Sequence, residues 1–413
     1  MRGGPGSSAR AAALVRSEAE GPSRVGLAGQ LRGRWSDALV GALTPILELL
    51  VDEEVTEIEA NAFDEVWVKG HGWRGHKRIQ GVGWSDEPDF LLACVRVGEV
   101  IGRTVSRRTP LLNGRLPGGE RVNVVIPPAC ERIALTIRKF PAETMTFDIL
   151  ERKGSLNRAV RDLCEGLVLA RQSILVAGGT SAGKTSLLNA LSRVIREDER
   201  IITIEDAREL QIQQPHWVAL ETVEPYEAGA HPVTIGDLVR NALRQTPDRI
   251  IVGEVRGEEA FYLLRAFSTG HGGGFGTIHS NDAEDGLHQL QLLAQMAPVA
   301  GLTAQVVASM VGRAVDVVVY QRHFQESGAR RIVEVIELEK PGVAVGPSGE
   351  IGYRYRRLVQ WNAETEIWEF PQGPSARLRH GLAAAGCRWA GEVTEDQERT
   401  AVDGASPEDT ALR

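Results

Sequence analysis

No run of about 18 apolar residues occurs in the chain, so the sequence offers no helix able to span a membrane. The nearest stretch, PVAGLTAQVVASMVGRAVDVVVY (298–320), is interrupted by Gln305, Arg313 and Asp316. It reads as a core helix followed by a buried strand, AVDVVVY. Cysteine is scarce. Cys94, Cys130, Cys164 and Cys387 form no CxxC pair, which argues against a zinc module and against a disulfide framework. The four read as small buried apolar residues of a protein in a reducing cytosol. Positive charge is not in excess: Lys and Arg number 47 against 55 Asp and Glu, for a net charge of -8. That disfavours a chain that coats nucleic acid, without excluding a local basic patch. The first residues carry arginines with no apolar core behind them, so no secretory signal is expected. No internal repeat is found.

A length of 413 residues allows two or three domains. Residues 1–33, rich in Gly, Ser, Ala and Arg, read as a flexible tail. Residues 34–140 read as an α+β domain. WSDALVGALTPILELLVD is expected as a helix interrupted at Pro45, and TEIEANAFDEVWVKG as two short strands joined by an Asn-Ala-Phe-Asp turn. DEPDFLLACVRVGEVIG is expected as a helix, and RVNVVIPP and ERIALTIRKF as strands. A polar connection at 141–155 reads as a linker. From 156 to 345 the pattern changes to strand, loop, helix, repeated: SILVAG, RIITIED, HWVALET, RIIVGEV, FGTIHS and AVDVVVY alternate with helices starting near Lys184, Thr234, Glu258 and Asp282. That alternation predicts an α/β domain with a mostly parallel sheet. Residues 346–375 read as a β-rich extension, and 376–413 as a disordered tail.

Between SILVAG and a helix stands GGTSAGKTS, Gly178–Ser186, with the spacing of a complete P-loop. Its glycines let successive N–H groups of Gly178, Gly179, Thr180, Ser181, Ala182 and Gly183 turn toward one anion, and the helix N-terminus adds partial positive charge. Lys184 is placed to reach the β- and γ-phosphates, Thr185 to supply a hydroxyl to Mg2+, and Ser186 to complete the cradle. Acids at strand ends in a parallel sheet lie at its carboxyl edge, where ligands bind. Two such strands are present. RIIVGEVRG carries Glu254 behind Gly253, where the commoner pattern has Asp at the strand end. RIITIEDAREL carries Glu205 and Asp206. Glu254 reads as a metal-side or water-side acid, and Glu205 as a second acid facing the nucleotide; a helix cap or surface ion pair is the plainer reading of Glu205. TGHGGGFGTIHS brackets three glycines with His271 and His279. Their spacing does not suit a helical metal pair; a glycine-rich loop bracketed by histidines beside the nucleotide site suits a sensor of phosphate state, with both histidines candidate donors to a phosphate.

These four motifs, in this order, resemble the hexameric ATPases of type II and type IV secretion and pilus assembly. In that family GGTSAGKT, ITIEDAREL, RIIVGEVRG and TGHGGGFGTIHSND correspond to the Walker A, Asp box, Walker B and His box. The Gly-Glu Walker B is characteristic of it. VTEIEANAFDEVWVKG, NGRLPGGERVNVVIPP, ALTIRKF and PHWVALET extend the resemblance over 34–340. NGRLPGGERVNVVIPP and TIRKF are most similar to the Tad/Flp-pilus branch, with conjugative type IV ATPases next. The sequence departs from its relatives at Asn113, where Asp is common, and carries no CxxC insertion of the type II exporters.

The resemblance implies a RecA-like P-loop NTPase domain preceded by a PAS-like α+β domain, and a homohexamer. It implies a cytoplasmic ATP hydrolase using ATP and Mg2+, with Thr185 and Glu254 on the metal side and Glu205 as the acid that orients water. It also implies arginines of the first domain reaching the γ-phosphate: by position Arg121 and Arg138, with Arg115 a third candidate. The implied partner is an inner-membrane platform protein of a pilus or secretion machine, which would tie the ring peripherally to the membrane, with no direct nucleic-acid binding. Two other readings remain at this point. One is a DNA motor built on the same core, disfavoured by the acidic balance and the lack of an aromatic-basic stretch. The other is an assembly module that binds ATP with negligible turnover, disfavoured by the complete set of acids.

Overall fold

Two kinds of strand divide the chain into two sheets of different character. In the first half, strands alternate buried and half-buried residues, as an antiparallel sheet with one solvated face requires. In the second half, the central strands are buried along their whole length. The computed structural model describes residues 35–70, 73, 75–139, 144–223, 231–270, 272–345 and 351–389. It falls into two units, Met1–Glu143 and Thr144–Arg413. The expected N-terminal tail, residues 141–143 of the expected linker and residues from 390 onward lie outside the described residues.

The first unit begins with α1 (Asp37–Ala42), a 3-10 turn (Thr44–Ile46) and α2 (Leu47–Val51). The break falls at Pro45, which has no N–H to continue a helical ladder. Strands β1 (Val55–Ala62), β2 (Glu65–Gly70) and β3 (Lys77–Ile79) precede α3 (Glu87–Val100). Strands β4 (Leu111–Arg115), β5 (Arg121–Val125) and β6 (Ala134–Arg138) follow. The antiparallel order is β3-β2-β1-β6-β5-β4. Ile58, Val66, Val68, Val124, Leu135 and Ile137 pack with Leu39, Leu43, Ile46, Phe90 and Val97 of the helices in one core. The β1–β2 turn is tighter than the expected Asn-Ala-Phe-Asp, because Asn61 and Ala62 stay in the strand.

The second unit holds α4 (Phe147–Arg152), α5 (Arg158–Leu169), β7 (Ile174–Gly178), α6 (Lys184–Ser192), β8 (Ile201–Glu205) and β9 (Trp217–Glu221). It continues through α7 (Ile235–Ala242), β10 (Arg249–Val255), α8 (Glu259–Ser268), β11 (Phe275–Ile278), α9 (Ala283–Ala294) and α10 (Ala304–Ala314). It closes with β12 (Val317–His323), β13 (Arg330–Val345), β14 (Ile351–Asn362), β15 (Ile367–Glu369) and α11 (Ala376–Ala384). The sheet order among the described residues is β15-β14-β13-β12-β7-β11-β10-β8-β9. The six strands from β12 to β9 are parallel, and β13 to β15 extend them antiparallel.

Three stretches differ from the sequence expectation. The polar linker carries α4, whose Phe147 and Leu150 are buried in the same core as Leu187 and Leu191 of α6. The β-rich extension continues the α/β sheet: β14 and β15 pair antiparallel onto β13, which itself pairs with β12 over residues 330–337. The expected tail opens with α11. Ser375 caps it, Leu378 and Leu382 are buried, and Trp389 meets Phe370 edge-on at 5.6 Å. Helix α5, not among the expected helices, contains Gly166, which packs against Leu382: a Cβ there would lie 2.8 Å from the end of that side chain. Of the four cysteines, Cys94 and Cys164 are buried, with burial pushing each thiol to about 12. Cys130 and Cys387 are half-buried, contrary to expectation.

Candidate functional site

Strand β7 ends where the chain must reverse sharply into α6. Gly178 would bring a Cβ within 2.3 Å of the Gln321 carbonyl oxygen, and Gly183 caps α6 in the left-handed conformation at φ +96°. Both positions therefore require glycine. Ser181 is also left-handed, at φ +59°. Gly179, Gly183, Lys184, Thr185 and Ser186 are half-buried, Thr180 and Ser181 are exposed, and Ala182 is buried. The loop thus opens at the carboxyl edge of the sheet, ahead of a helix N-terminus, in the arrangement that binds phosphate. Lys184 Nζ donates to the carbonyls of Gly178 (3.0 Å) and Gly179 (3.1 Å), which holds it over the loop. Burial pulls its ammonium below the ordinary lysine value, and the charge of Glu254 works against that.

Strand β11 lies between β7 and β10, so the P-loop strand and the strand of Glu254 are not neighbours. β8 lies beyond β10. All four carboxyl ends share one edge, and the chain passes from β7 to β8 over the two strands between them.

Glu205 ends β8 with 4% of its surface exposed. Its Oε1 accepts from the N–H groups of Glu209 (2.7 Å) and Leu210 (2.9 Å). Its Oε2 is buried with no partner among the described residues. Burial raises the carboxyl to about 7, against the two N–H bonds that favour the charged form. A surface ion pair is excluded as the reading of Glu205. What remains is a buried carboxyl with one oxygen fixed by two backbone N–H groups and the other buried without a partner, raised toward neutrality, a state that suits a general base once water reaches it.

Gly253 explains the departure in the second acidic motif. A Cβ there would lie 2.8 Å from Glu205 Cγ. The strand end beside Glu205 must be bare, and the acid moves on to Glu254. Thr277 of β11 donates to the Gly253 carbonyl at 2.6 Å and fixes this strand end. Glu254 is partly exposed and accepts from Arg256, whose other nitrogen lies 3.5 Å from Asp206. Arg256 stands inside the quoted motif, yet its type and place gave no sign that it would bridge the two acidic strand ends.

His279 follows β11 and is exposed at the same carboxyl edge, next to the P-loop strand. His271 lies outside the described residues. The glycines between them are at the opposite, amino edge of the sheet, where Gly273 leaves room for Arg249: a Cβ would sit 2.4 Å from its guanidinium. The glycine stretch is thus a packing device at the far edge, not a loop against the P-loop as the sequence suggested.

In the first unit, Arg115, Arg121 and Arg138 form one cross-strand row. Arg115 faces Arg121 across β4–β5, and Arg121 faces Arg138 across β5–β6. Directly paired residues share a sheet face. The sequence separates these arginines, and the register brings them abreast.

Thr185 and Glu254, both half-buried, are hard oxygen donors of the kind Mg2+ takes, with most of its shell left to water and phosphate. Among the described residues no group of three or more His, Cys, Asp or Glu forms a metal cage, and a Mg2+-nucleotide site needs none. No helix is long and apolar enough to cross a membrane among the described residues.

The family model described as type II/IV secretion system protein matches residues 44–346. A putative conjugal transfer protein of Mycobacterium tuberculosis is 35% identical over 308 residues, covering 73% of this chain and 84% of that protein. The type IV secretion system protein PtlH of Bordetella pertussis is 35% identical over 314 residues, covering 68% and 90%. The ATPase DotB of Legionella pneumophila has the same fold at 16% identity, with a TM-score of 0.50 over 79% of this chain and 82% of that one.

Proposed function

The chain belongs to the type II/IV secretion system protein family, and we propose that it is a Mg2+-dependent ATP hydrolase that works as a hexameric ring on a secretion or pilus-assembly machine. The observation that carries this reading is Glu205: a buried acid with one free oxygen, at the same sheet edge as a complete P-loop. In this reading the N–H groups of Gly178–Thr185 and the Lys184 ammonium bind the β- and γ-phosphates. Thr185 and Glu254 hold Mg2+, which when bound neutralises phosphate charge. Glu205 accepts a proton from the attacking water as its oxygen bonds to the γ-phosphorus. The bond to the bridging oxygen breaks, releasing ADP and phosphate.

Arg121 and Arg138, with Arg115 beside them, supply guanidinium groups to the γ-phosphate when the first unit closes, and His279 is a candidate donor to the same phosphate. A permanently charged planar group suits a phosphoryl transition state. Domain closure and reopening, repeated around the ring, would push on an inner-membrane platform protein from the cytoplasmic side. The segments of the Tad/Flp kind support a pilus-assembly motor. The printed names of the Mycobacterium and Bordetella relatives support the second reading, a conjugative or type IV secretion ATPase.

One experiment tests the proposal and separates the branches. The Glu254→Gln protein with ATP is crosslinked in native membranes and its partners identified. A polytopic platform protein with pilin-like subunits supports pilus assembly. A relaxase or channel component supports conjugative secretion. Capture of no membrane protein would overturn the secretion role.

A further inference from the structure

One contact on the P-loop has no role in the scheme above. The β12–β13 hairpin runs along the outside of the loop. Gln321 of β12 pairs with Gly178 of β7 and is 1% exposed. A Cβ on Gly183 would lie 3.2 Å from Gln321 Nε2 and 3.3 Å from Arg330 Cδ. Arg330, the first residue of β13, therefore lays its stem over Gly183. Its Nε donates to the Ser181 carbonyl oxygen at 2.8 Å.

Ser181 is a residue with a side chain in the left-handed region, a conformation that costs an L-residue about 1–2 kcal/mol. Something must hold it there. The carbonyl and the N–H of one planar trans peptide point in opposite directions. With the Ser181 carbonyl tied to Arg330, the Ala182 N–H of the same peptide points the other way. That N–H is directed across the loop toward the Gly179 carbonyl, 3.3 Å away. A charged donor on the carbonyl also polarises the peptide and strengthens its N–H as a donor.

We infer that Arg330 is a positioning residue for the phosphate loop: its bond to the Ser181 carbonyl holds the left-handed Ser181 turn, closed by the Ala182 N–H on the Gly179 carbonyl, and so keeps the loop in the shape from which it takes up a β-phosphate. This rests on the nucleotide reading of the P-loop.

The test compares ADP binding by the full chain carrying Arg330→Met or Arg330→Gln with wild type and Lys184→Ala. Met keeps the stem and removes the donor. Gln places a neutral amide nitrogen where Nε stands and keeps the bond. Arg330→Met is expected to weaken ADP binding about tenfold, and Arg330→Gln less than about threefold, in line with the net worth of one charge-assisted bond. In ATP turnover, KM rises with the same pattern while kcat stays near wild type. The thermal midpoint without nucleotide is unchanged in both variants. ADP binding by Arg330→Met at wild-type strength overturns the inference. So does Arg330→Gln binding as weakly as Arg330→Met, and so does loss of folding in Arg330→Met, since a residue that only aims the loop leaves the fold intact. Wild type binding no ADP would sink the nucleotide reading itself.

Discussion

Replacing Glu205 with glutamine should stabilise the protein at neutral and alkaline pH while abolishing its turnover. The carboxyl titrates at about 7 in the folded chain against an ordinary 4.5, and burial is the main cause. Between those values the folded chain binds a proton that the unfolded chain does not, so wild-type stability falls as pH rises across that window. Above about pH 7 the full cost of the buried charge is present. At about 1.4 kcal/mol per pH unit of separation, the cost is about 3 kcal/mol. Glutamine is neutral throughout. Its amide oxygen can accept from Glu209 and Leu210 as Oε1 does now. Its NH2 falls at the unpartnered Oε2 position and carries a desolvation cost of its own, but that cost does not change with pH. The quantity to measure is therefore the change in the stability difference with pH, from denaturant unfolding followed by tryptophan fluorescence. The variant should gain about 3 kcal/mol relative to wild type between about pH 4.5 and pH 8, and then no more. Wild-type turnover should rise through about pH 7 as the base ionises, and the variant should be inactive at every pH. A stability difference that stays constant across this range would refute the buried-acid argument.

Lys184→Ala should lose tight ATP binding, and Glu254→Gln should bind ATP without turning it over, as equilibrium binding and phosphate release would show; undiminished turnover by Glu254→Gln would remove that acid from the mechanism. Gly253→Ala should displace Glu205, because the added methyl would lie 2.8 Å from its Cγ. Turnover should fall at least about tenfold and stability by about 1–3 kcal/mol, measured by phosphate release and denaturant unfolding. Arg249→Met should destabilise the second unit by about 1–3 kcal/mol in thermal unfolding, since it removes the buried partner that binds Glu199 at 2.7 and 3.0 Å and leaves it only the more exposed Arg171. The same variant, at the amino edge and away from the P-loop, should bind ADP normally at temperatures where it is folded.

The α/β unit was legible because its strands are short apolar runs closed by glycine or acid, and its helices start behind Gly183 or behind the capping side chains of Thr234 and Asp282. What the sequence hid was pairing. Asn113 and Gly114, notable in the sequence only for the family resemblance, lie inside β4, where Asn113 faces Asn123 and accepts from its amide at 2.7 Å. Gly166 weakens α5 by propensity, and its contact with the end of the Leu382 side chain appears only in the fold. TGHGGGFGTIHS reads as one functional loop, but a four-residue strand separates its two ends and sends them to opposite edges of the sheet. Arg330 carries no local signal at all. It meets the P-loop only because β12 lies beside β7 and β13 turns back on β12.

The Gly-Glu end of β10 joins these levels in one place. A strand ending in a directly lateral acid would require a Cβ where Glu205 stands, so an acid at position 253 and a buried acid at 205 are sterically incompatible. The fold keeps the buried acid and shifts the other to Glu254, where it is more exposed and tied to Arg256. That separation leaves two carboxyls in different environments: Glu205 desolvated and raised to about 7, and Glu254 close enough to Lys184 to hold up the ammonium's charge. Two acids whose surroundings differ in this way can divide proton transfer and cation binding between them, which two equally solvated carboxylates could not. Gly253 is thus neither a turn residue nor a gap in a motif. Its missing side chain makes the division possible.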